Sequence, residues 1–408
     1  MTNLTVTLLQ PAQVSTGRRS DNVRETADHL PGWVVRGAFA AAYIRCFGPP
    51  TDPHYREDFV SLFEGGVRFP PLFNKDRPYP LSVLTHKYGP RGCQAGDLDL
   101  ALQPLTLEAS LRCADCSEPL KGLRGLPKRP PVDRHTSTQV AARGVAVAET
   151  LHSRDSLRSG LSFSGSLIGD SQALELLKEI ADEVNVSIGG RRTTKGMVKA
   201  QFADSPPGQV GLPLIRDDGL LVLRMESPSV FVNQDGRPQP VPDTDELAGV
   251  LRVQHAQVVR HWSRWEHIGG WHAASRLPKP VEIAVAAGST YLIRTGTRPP
   301  DEALAHLLTR GLGLRRHEGF GHVAPEGWMA SQRTGLSARA VRLLAEHPDD
   351  LTLVVGFLRG GDATAQFKAR IEQVSRSSQL GKVLREVVAA DPSMALESLG
   401  MTDGGLSA

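Results

Sequence analysis

Apolar and polar residues alternate from Thr2 to Gln10, the period of a half-buried strand. Ser15 to His29 is polar and arginine-rich and reads as a loop. Pro31-Gly32 then makes a turn that feeds a helix, alanine-rich in its second half, running to Arg45. Val67–Phe73, Val140–Glu149 and Leu161–Ile168 read as strands. Asp170 stands where an N-cap would, ahead of a helix over Gln172–Val184 whose Leu174, Leu177, Ile180, Ala181 and Val184 share one face. A basic glycine-rich turn, Ser187–Gly196, leads into a strand over Met197–Phe202. Strand, helix, strands, helix, strand is an order that suits a ferredoxin-like α+β domain.

The second half repeats the plan. Gly219–Val232 is strand-rich, Asp245–Val259 reads as a helix, and Val281–Thr295 alternates as strands around Ala286-Ala287-Gly288. A helix over Asp301–Arg310 precedes another glycine-and-arginine turn, Leu314–Val323. Both halves therefore end in helix, basic glycine loop, strand. The periodicity of residues 336–400, as in Phe367–Val374 and Leu380–Val388, is helical. The expected fold class is α+β, with two ferredoxin-like (RRM-like) domains. The first covers 1–203 and carries a cysteine-containing loop insertion at 74–135. The second covers 211–330. A helical extension at 331–408 would cover the second domain or dock on a partner.

Composition adds less than pattern. At 40% hydrophobic and 22% charged residues, the 408-residue chain can bury a core. Its net charge is only +3, yet 37 of the 47 cations are arginine. Arginine binds phosphate bidentately, and GC-rich codons also supply it, so the bias alone decides nothing. No apolar run reaches the ~18 residues of a membrane span, and the start lacks a secretory pattern. Four cysteines do not make a disulfide framework. A cytoplasmic protein is expected. P-loop, dinucleotide-binding, nucleophile-elbow, zincin and zinc-deaminase signatures are absent, which lowers the expectation of an enzyme.

The chemistry sits in the glycine loops. Gly189-Gly190-Arg191-Arg192 with Lys195-Gly196 puts three cations on one tight loop. Glycine lets a backbone approach a phosphate closely, although an ordinary turn with solvated charge has the same composition. Arg315-Arg316 with Gly319 and Gly321 repeats the arrangement after an equivalent helix. Single-stranded RNA lying across a sheet would meet both.

The paired pattern resembles the RAMP superfamily of CRISPR-associated proteins. Pro31-Gly32-Trp33-Val34-Val35-Arg36-Gly37-Ala38 is similar to the family's motif at its first helix, with Trp33 in place of a small polar residue. Ile188–Gly196 and Glu318-Gly319-Phe320-Gly321 resemble its glycine loops. Gly269-Gly270-Trp271, Leu277-Pro278-Lys279-Pro280 and Ala287–Tyr291 resemble the Cas-five-like Csx-ten subgroup of type III-D loci. The resemblance implies a non-catalytic RNA-binding subunit of a type III effector in antiviral defence. Such a subunit holds the 5′ tag of the crRNA, caps the backbone of the ribonucleoprotein, and works with other effector subunits and, through them, target RNA. Gly32, Arg36 and Gly37 would then meet phosphate, and Arg191, Arg192 and Lys195 would hold the tag. Arg134 and His135 lie in a stretch that resembles the family segment leading into a β-hairpin thumb. A metal-independent endoribonuclease of the same superfamily is the alternative, with His29 or His135 as the group near the 2′-OH.

Cys93, Cys113 and Cys116 lie in the loop-rich insertion, and His86 precedes them. Cys-x-x-Cys directs two thiolates at one metal, so the four residues make a candidate structural Zn2+ site; unpaired cysteines are the other reading. His255, His261, His267 and His272 interleave with Trp262, Trp265 and Trp271 at spacings that fit no single helix face. Core and loop packing is expected there, with base stacking on Trp265 or Trp271 as the other use.

Overall fold

Leu4, Val6 and Leu8 all turn to one face of the first strand and are fully buried in the computed structural model of the chain. The structure describes residues 1–20, 22–88, 97–103, 105, 112–113, 116–126, 128–147, 149–190, 194–204, 211–272, 277–325, 336, 338–359, 363–374, 378–389, 395–396 and 399. Two compact units divide it. One covers Met1–Gly89 with Gly96–Glu326, and the other holds Gly327–Ala408.

In chain order the first half contains β1 (Thr2–Leu8), β2 (Ser15–Ser20), β3 (Val23–Thr26), α1 (Gly32–Cys46), α2 (Pro53–Ser61), β4 (Val83–His86), β5 (Leu98–Asp99), β6 (Leu120–Gly122), β7 (Val132–Ser137), β8 (His152–Leu157), β9 (Ser162–Leu167), α3 (Ser171–Glu183), β10 (Val186–Ser187) and β11 (Met197–Asp204). The second half contains β12 (Leu221–Arg224), α4 (Thr244–Leu251), β13 (Ala256–Trp262), β14 (Trp265–His272), β15 (Leu277–Val285), β16 (Thr290–Thr295) and α5 (Asp301–Arg310).

Content is mixed α+β, and both halves share one strand order. β1 lies between β11 and β9, antiparallel to each. Arg68 and Phe73 bridge Ile168 and Ser164 on the far side of β9. Fourth, first, third and second strands thus stand side by side, with α1 and α3 as the crossovers. In the second half β12 lies beside β16, and β16 beside β13. Met225 bridges Val323 on the open side of β12, which gives the same order again. Each sheet has its own core. Phe39, Tyr43, Phe63, Phe69, Leu177 and Ile180 fill the first, and Leu247, Tyr291, Leu304 and Leu307 the second. Asp170 caps α3 as expected, its carboxylate accepting from Ala173 N at 2.8 Å.

The structure departs from the sequence pattern in three places. Ser15–His29 is not a loop: β2 and β3 join β8 and β7 in a four-stranded sheet of polar strands, whose order is β2-β3-β8-β7. No apolar alternation betrays these strands, and β7 leaves five of its six residues exposed. Val140–Glu149 is not a strand but the tip of the β7–β8 hairpin, with Val140 and Val145 58% and 65% exposed. The helix expected over Asp245–Val259 ends at Leu251, where Arg252 turns left-handed, and β13 begins at Ala256. Two β-branched residues, Val258 and Val259, favour the strand.

The insertion does not close on itself. Leu81 N donates to Gly288 O at 2.7 Å, Asp99 ion-pairs with Arg224, and Ala101 packs with Leu220, Val222 and Leu292 of the second sheet. β4 pairs with both β5 and β6 in a small sheet of its own.

In the second unit lie α6 (Ala338–Ala345), α7 (Pro348–Leu358), α8 (Ala363–Gln373) and α9 (Gln379–Ala389). They bury Leu344, Val354, Phe367, Leu384 and Val387, and Arg370 grips Asp350 in two bonds of 2.7 and 3.1 Å. Among the described residues, no helix is long and apolar enough to cross a membrane.

Candidate nucleic-acid interface

The two glycine motifs meet each other. A Cβ on Gly32 would overlap the carbonyl oxygen of Phe69 and lie 2.9 Å from both Glu318 O and Gly319 Cα. Gly319, at φ 89°, is equally constrained: its Cβ would overlap the same oxygen and lie 2.9 Å from Gly32 Cα. The start of α1 and the 3₁₀ turn Arg316–Glu318 are therefore in backbone contact. Trp33 stacks on Phe320 at 4.9 Å, and the Arg315 guanidinium covers the other partner at 4.7 Å from the Phe320 centroid. This explains the tryptophan that replaces a small polar residue: it seals the joint between the halves. The close approach expected of these glycines is toward protein backbone. Gly189, at φ 83°, approaches Gln13 in the same way, and Gly190 N donates to Gln13 O at 2.9 Å. Gly37 has open space around its Cβ position and no such constraint.

The arginines of these motifs have carboxylate partners. Arg36 donates from Nε to Phe63 O at 2.6 Å and from Nη2 to Glu64 at 2.7 Å. Arg315 holds Glu318 through two bonds of 2.8 Å and Glu282 at 2.7 Å. Burial alone would lower its pKa, but these two carboxylates outweigh burial and raise it. Arg316 and Arg310 share Glu246, at 3.1 and 2.9 Å. Arg134 grips Asp155 at 2.7 and 3.0 Å. A phosphate at any of these sites must displace a carboxylate. The sequence singled out the cations and missed their anions, because Glu246 and Glu282 lie far away along the chain.

Two of the expected residues lie at the polar sheet with fewer obligations. His135 is exposed on β7 of the polar sheet. Lys195, from the first glycine loop, reaches that sheet, its Nζ 3.4 Å from Ser156 Oγ on β8. Arg191 and Arg192 lie outside the described residues. His322, beside the second glycine loop, is not a surface residue. It is largely buried, with Nε2 3.2 Å from Glu226 Oε2, and Glu226 also ion-pairs with Arg77 of the first half. Trp265 and Trp271 stand on the β14–β15 hairpin and are 45% and 63% exposed, so they do not pack in a core.

His86, Cys113 and Cys116 form a separate cluster. Their donor atoms lie within 4.8 Å of one another, with Cys116 Sγ 3.3 Å from His86 Nε2. Zn–S and Zn–N bonds of about 2.3 and 2.0 Å place tetrahedral donors some 3.5–3.8 Å apart, so this set fits zinc with little movement. Cys93 lies outside the described residues.

Residues 169–325 match the family model of the CRISPR-associated protein Cas_Cmr3. That part of the chain is similar to the CRISPR-associated Cmr3 family. The matched stretch runs from the cap of α3 through both glycine loops. No curated protein sequence matches the chain. Among solved structures it is similar to a chain of the type III-B Cmr-beta complex bound to cognate target RNA and AMPPnP. Identity is 11%, coverage is 71% of this chain and 86% of that chain, and the TM-score is 0.39. It is also similar to a chain of the Csm3-Csm4 subcomplex of a type III-A interference complex, at 13% identity, 74% and 96% coverage and TM-score 0.34. A third likeness is to a RAMP protein binding different RNA substrates, at 10% identity, 79% and 99% coverage and TM-score 0.34.

Two groups of the matched stretch respond to acid. Burial, with Arg77 and Arg68 nearby, pulls His322 down from 6.5 to about 4. Burial pushes Glu318 up, but Arg315 and Lys279 outweigh it and hold the carboxyl at about 2 against an ordinary 4.5. The unfolded chain therefore takes up the histidine proton first. The His322 contribution is complete above pH 6.5 and lost as pH falls toward 4, up to ~3 kcal/mol. The Glu318 contribution is complete above pH 4.5 and lost toward 2. Urea midpoints measured from pH 7 to 2 should fall in two stages, and His322→Gln should flatten the upper one. A midpoint constant from pH 7 to 4.5 in the wild type would contradict the His322 assignment.

Proposed function

We propose that the chain is a non-catalytic RNA-binding subunit of a type III CRISPR ribonucleoprotein, holding the 5′ tag of the crRNA and capping the backbone of the complex in antiviral defence. One observation carries this reading: the stretch that matches the Cmr3 family model contains both glycine-rich loops. Its partners are then the crRNA, the other effector subunits and, through the complex, target RNA. Each half is read as a ferredoxin-like domain, 1–203 with the 74–135 insertion and 211–330, followed by the helical extension 331–408. The Csx-ten-like motifs around Gly269–Tyr291 support reading it as a Cas-five-like subunit of type III-D.

His135, Lys195, Arg191 and Arg192 are the proposed phosphate contacts of the first loop. Arg36, Arg134, Arg315 and Arg316 contribute by exchanging carboxylate for phosphate, and Gly32, Gly37, Gly189, Gly190, Gly196, Gly319 and Gly321 shape the backbone around them. Purified effector complex carrying Arg191→Ala with Lys195→Ala should assemble but lose the 5′-tagged crRNA. Normal assembly with the tag retained would overturn the assignment. The endoribonuclease reading has one observation in its favour: His29 Nδ1 lies 2.9 Å from Asp28 Oδ1, a paired imidazole. Specific cleavage of repeat RNA by the wild type, abolished by His29→Ala, would replace the non-catalytic reading.

A structural Zn2+ held by His86, Cys113 and Cys116, with Cys93 as fourth ligand, is proposed to staple the insertion. Metal analysis should give one zinc per chain, and Cys116→Ser should release it. Well below one zinc in the wild type would sink the site.

A further inference from the structure

Three arginine positions and one histidine stand in a single row across the polar sheet. The strand registers set Arg19 opposite Arg24, Arg24 opposite Arg154, and Arg154 opposite His135. Residues directly paired on neighbouring strands project from one face, so Arg24, Arg154 and His135 are side by side, with Arg19 at the fourth register position. Lys195 comes to the same face. Its partner Ser156 lies two residues along β8 from Arg154, and residues two apart on a strand share a face.

The row is at odds with the rest of the fold. Like charges directly opposite one another destabilise a sheet. The neighbouring row is Ser20, Val23, Ser153 and Thr136, and the next cation along β7, Arg134, has Asp155. Arg24 is exposed and has no ion pair among the described residues. No aromatic residue stands in the row to read a base.

We propose that this row is a track for the phosphate backbone of single-stranded RNA, crossing the strands rather than following them. The proposal rests on the RNA-binding reading above and names residues which that reading left unassigned. Four strands at ~4.8 Å spacing make the row ~14 Å long. A stacked strand carries one phosphate per ~3.4 Å, so the row meets several. Contacts of this kind position a strand and carry no sequence information.

The test uses the full chain and a fluorescent oligouridylate, titrated between 50 and 200 mM salt. Single-strand binding loses about 0.7 of log-log salt slope per cation removed. Arg24→Ala with Arg154→Ala should make the slope shallower by about 1.4. The wild type should then lose roughly sevenfold more affinity than the variant across that salt range. Arg24→Lys with Arg154→Lys should keep the wild-type slope. A melting temperature close to that of the wild type would show that the alanine variant is folded. If it falls instead, Arg24→Ala alone, at its exposed position, should still give a slope shallower by about 0.7. Wild-type slope and affinity in the alanine variants would overturn the track while leaving RNA binding intact. A wild type that ignores the oligouridylate at 50 mM overturns the RNA reading itself. Binding of poly-glutamate through these arginines in that case would make the ligand an acidic protein surface.

Discussion

Gly319→Ala is expected to destabilise the first unit by several kcal/mol, and Gly32→Val by at least as much. At φ 89° a side chain costs ~1–2 kcal/mol for the left-handed backbone alone. The new Cβ must also push apart Gly32 and the Phe69 carbonyl, and overpacking of that kind adds ~1–3 kcal/mol. Neither neighbour is the end of a flexible side chain, so relief requires α1 to move away from the second half. That movement would unstack Trp33 from Phe320. Gly37→Ala in the same helix is the control. Its Cβ meets nothing within 4 Å, and alanine in a helix interior should stabilise by ~0.5–1 kcal/mol. Urea unfolding followed by tryptophan fluorescence reads all three variants. Equal midpoints for Gly319→Ala and Gly37→Ala would mean that the two motifs do not meet.

The second large effect belongs to Glu226. It is 3% exposed and shared by Arg77 from the first half and His322 from the second. Glu226→Ala leaves a guanidinium and an imidazole facing each other over an empty site. Breaking a buried pair from one side costs ~3–5 kcal/mol, more than the pair itself contributes. Glu226→Gln keeps an oxygen for the His322 ring and should cost less. Equilibrium unfolding of the two variants should order them wild type, glutamine, alanine. A loss below ~1 kcal/mol in Glu226→Ala would remove the cluster from the joint between the halves.

How much of this was legible depends on what each element is covered by. β1, α3 and α5 bury one face against a core, so their periodicity was plain in the sequence. β3 and β7 bury little and β8 buries only its last three residues, and a strand without a core has no alternation to read. The apolar stretch around Val140–Val147 misleads for the opposite reason: it is apolar at an exposed hairpin tip. The glycine motifs were found by their order, but their use was hidden. Only the fold brings Gly32 beside Gly319 and turns their freedom toward each other. Arg315 and Arg316 looked available for phosphate because Glu282 and Glu246 are remote in the chain and adjacent in space. The Cys113 and Cys116 pair could be read from spacing, since thiols close in sequence are forced close in space, whereas His86 joins them only through the pairing of β4 with β6. The arginine row could not, because pairing across four strands has no one-dimensional signature.

The joint between the halves also sets a clock. Phe69 and Gly32 emerge from the ribosome roughly 250 to 290 residues before Gly319. At ~5–20 residues per second, the start of α1 waits on the order of 15 to 60 seconds for its mate. Throughout that interval Trp33 has no Phe320 to stack on, and Ala101 of the insertion has no second sheet beneath it. The nascent first half is therefore an incomplete template with exposed apolar surface, and the slow, long-range closure on Gly319 is the step most open to misassembly.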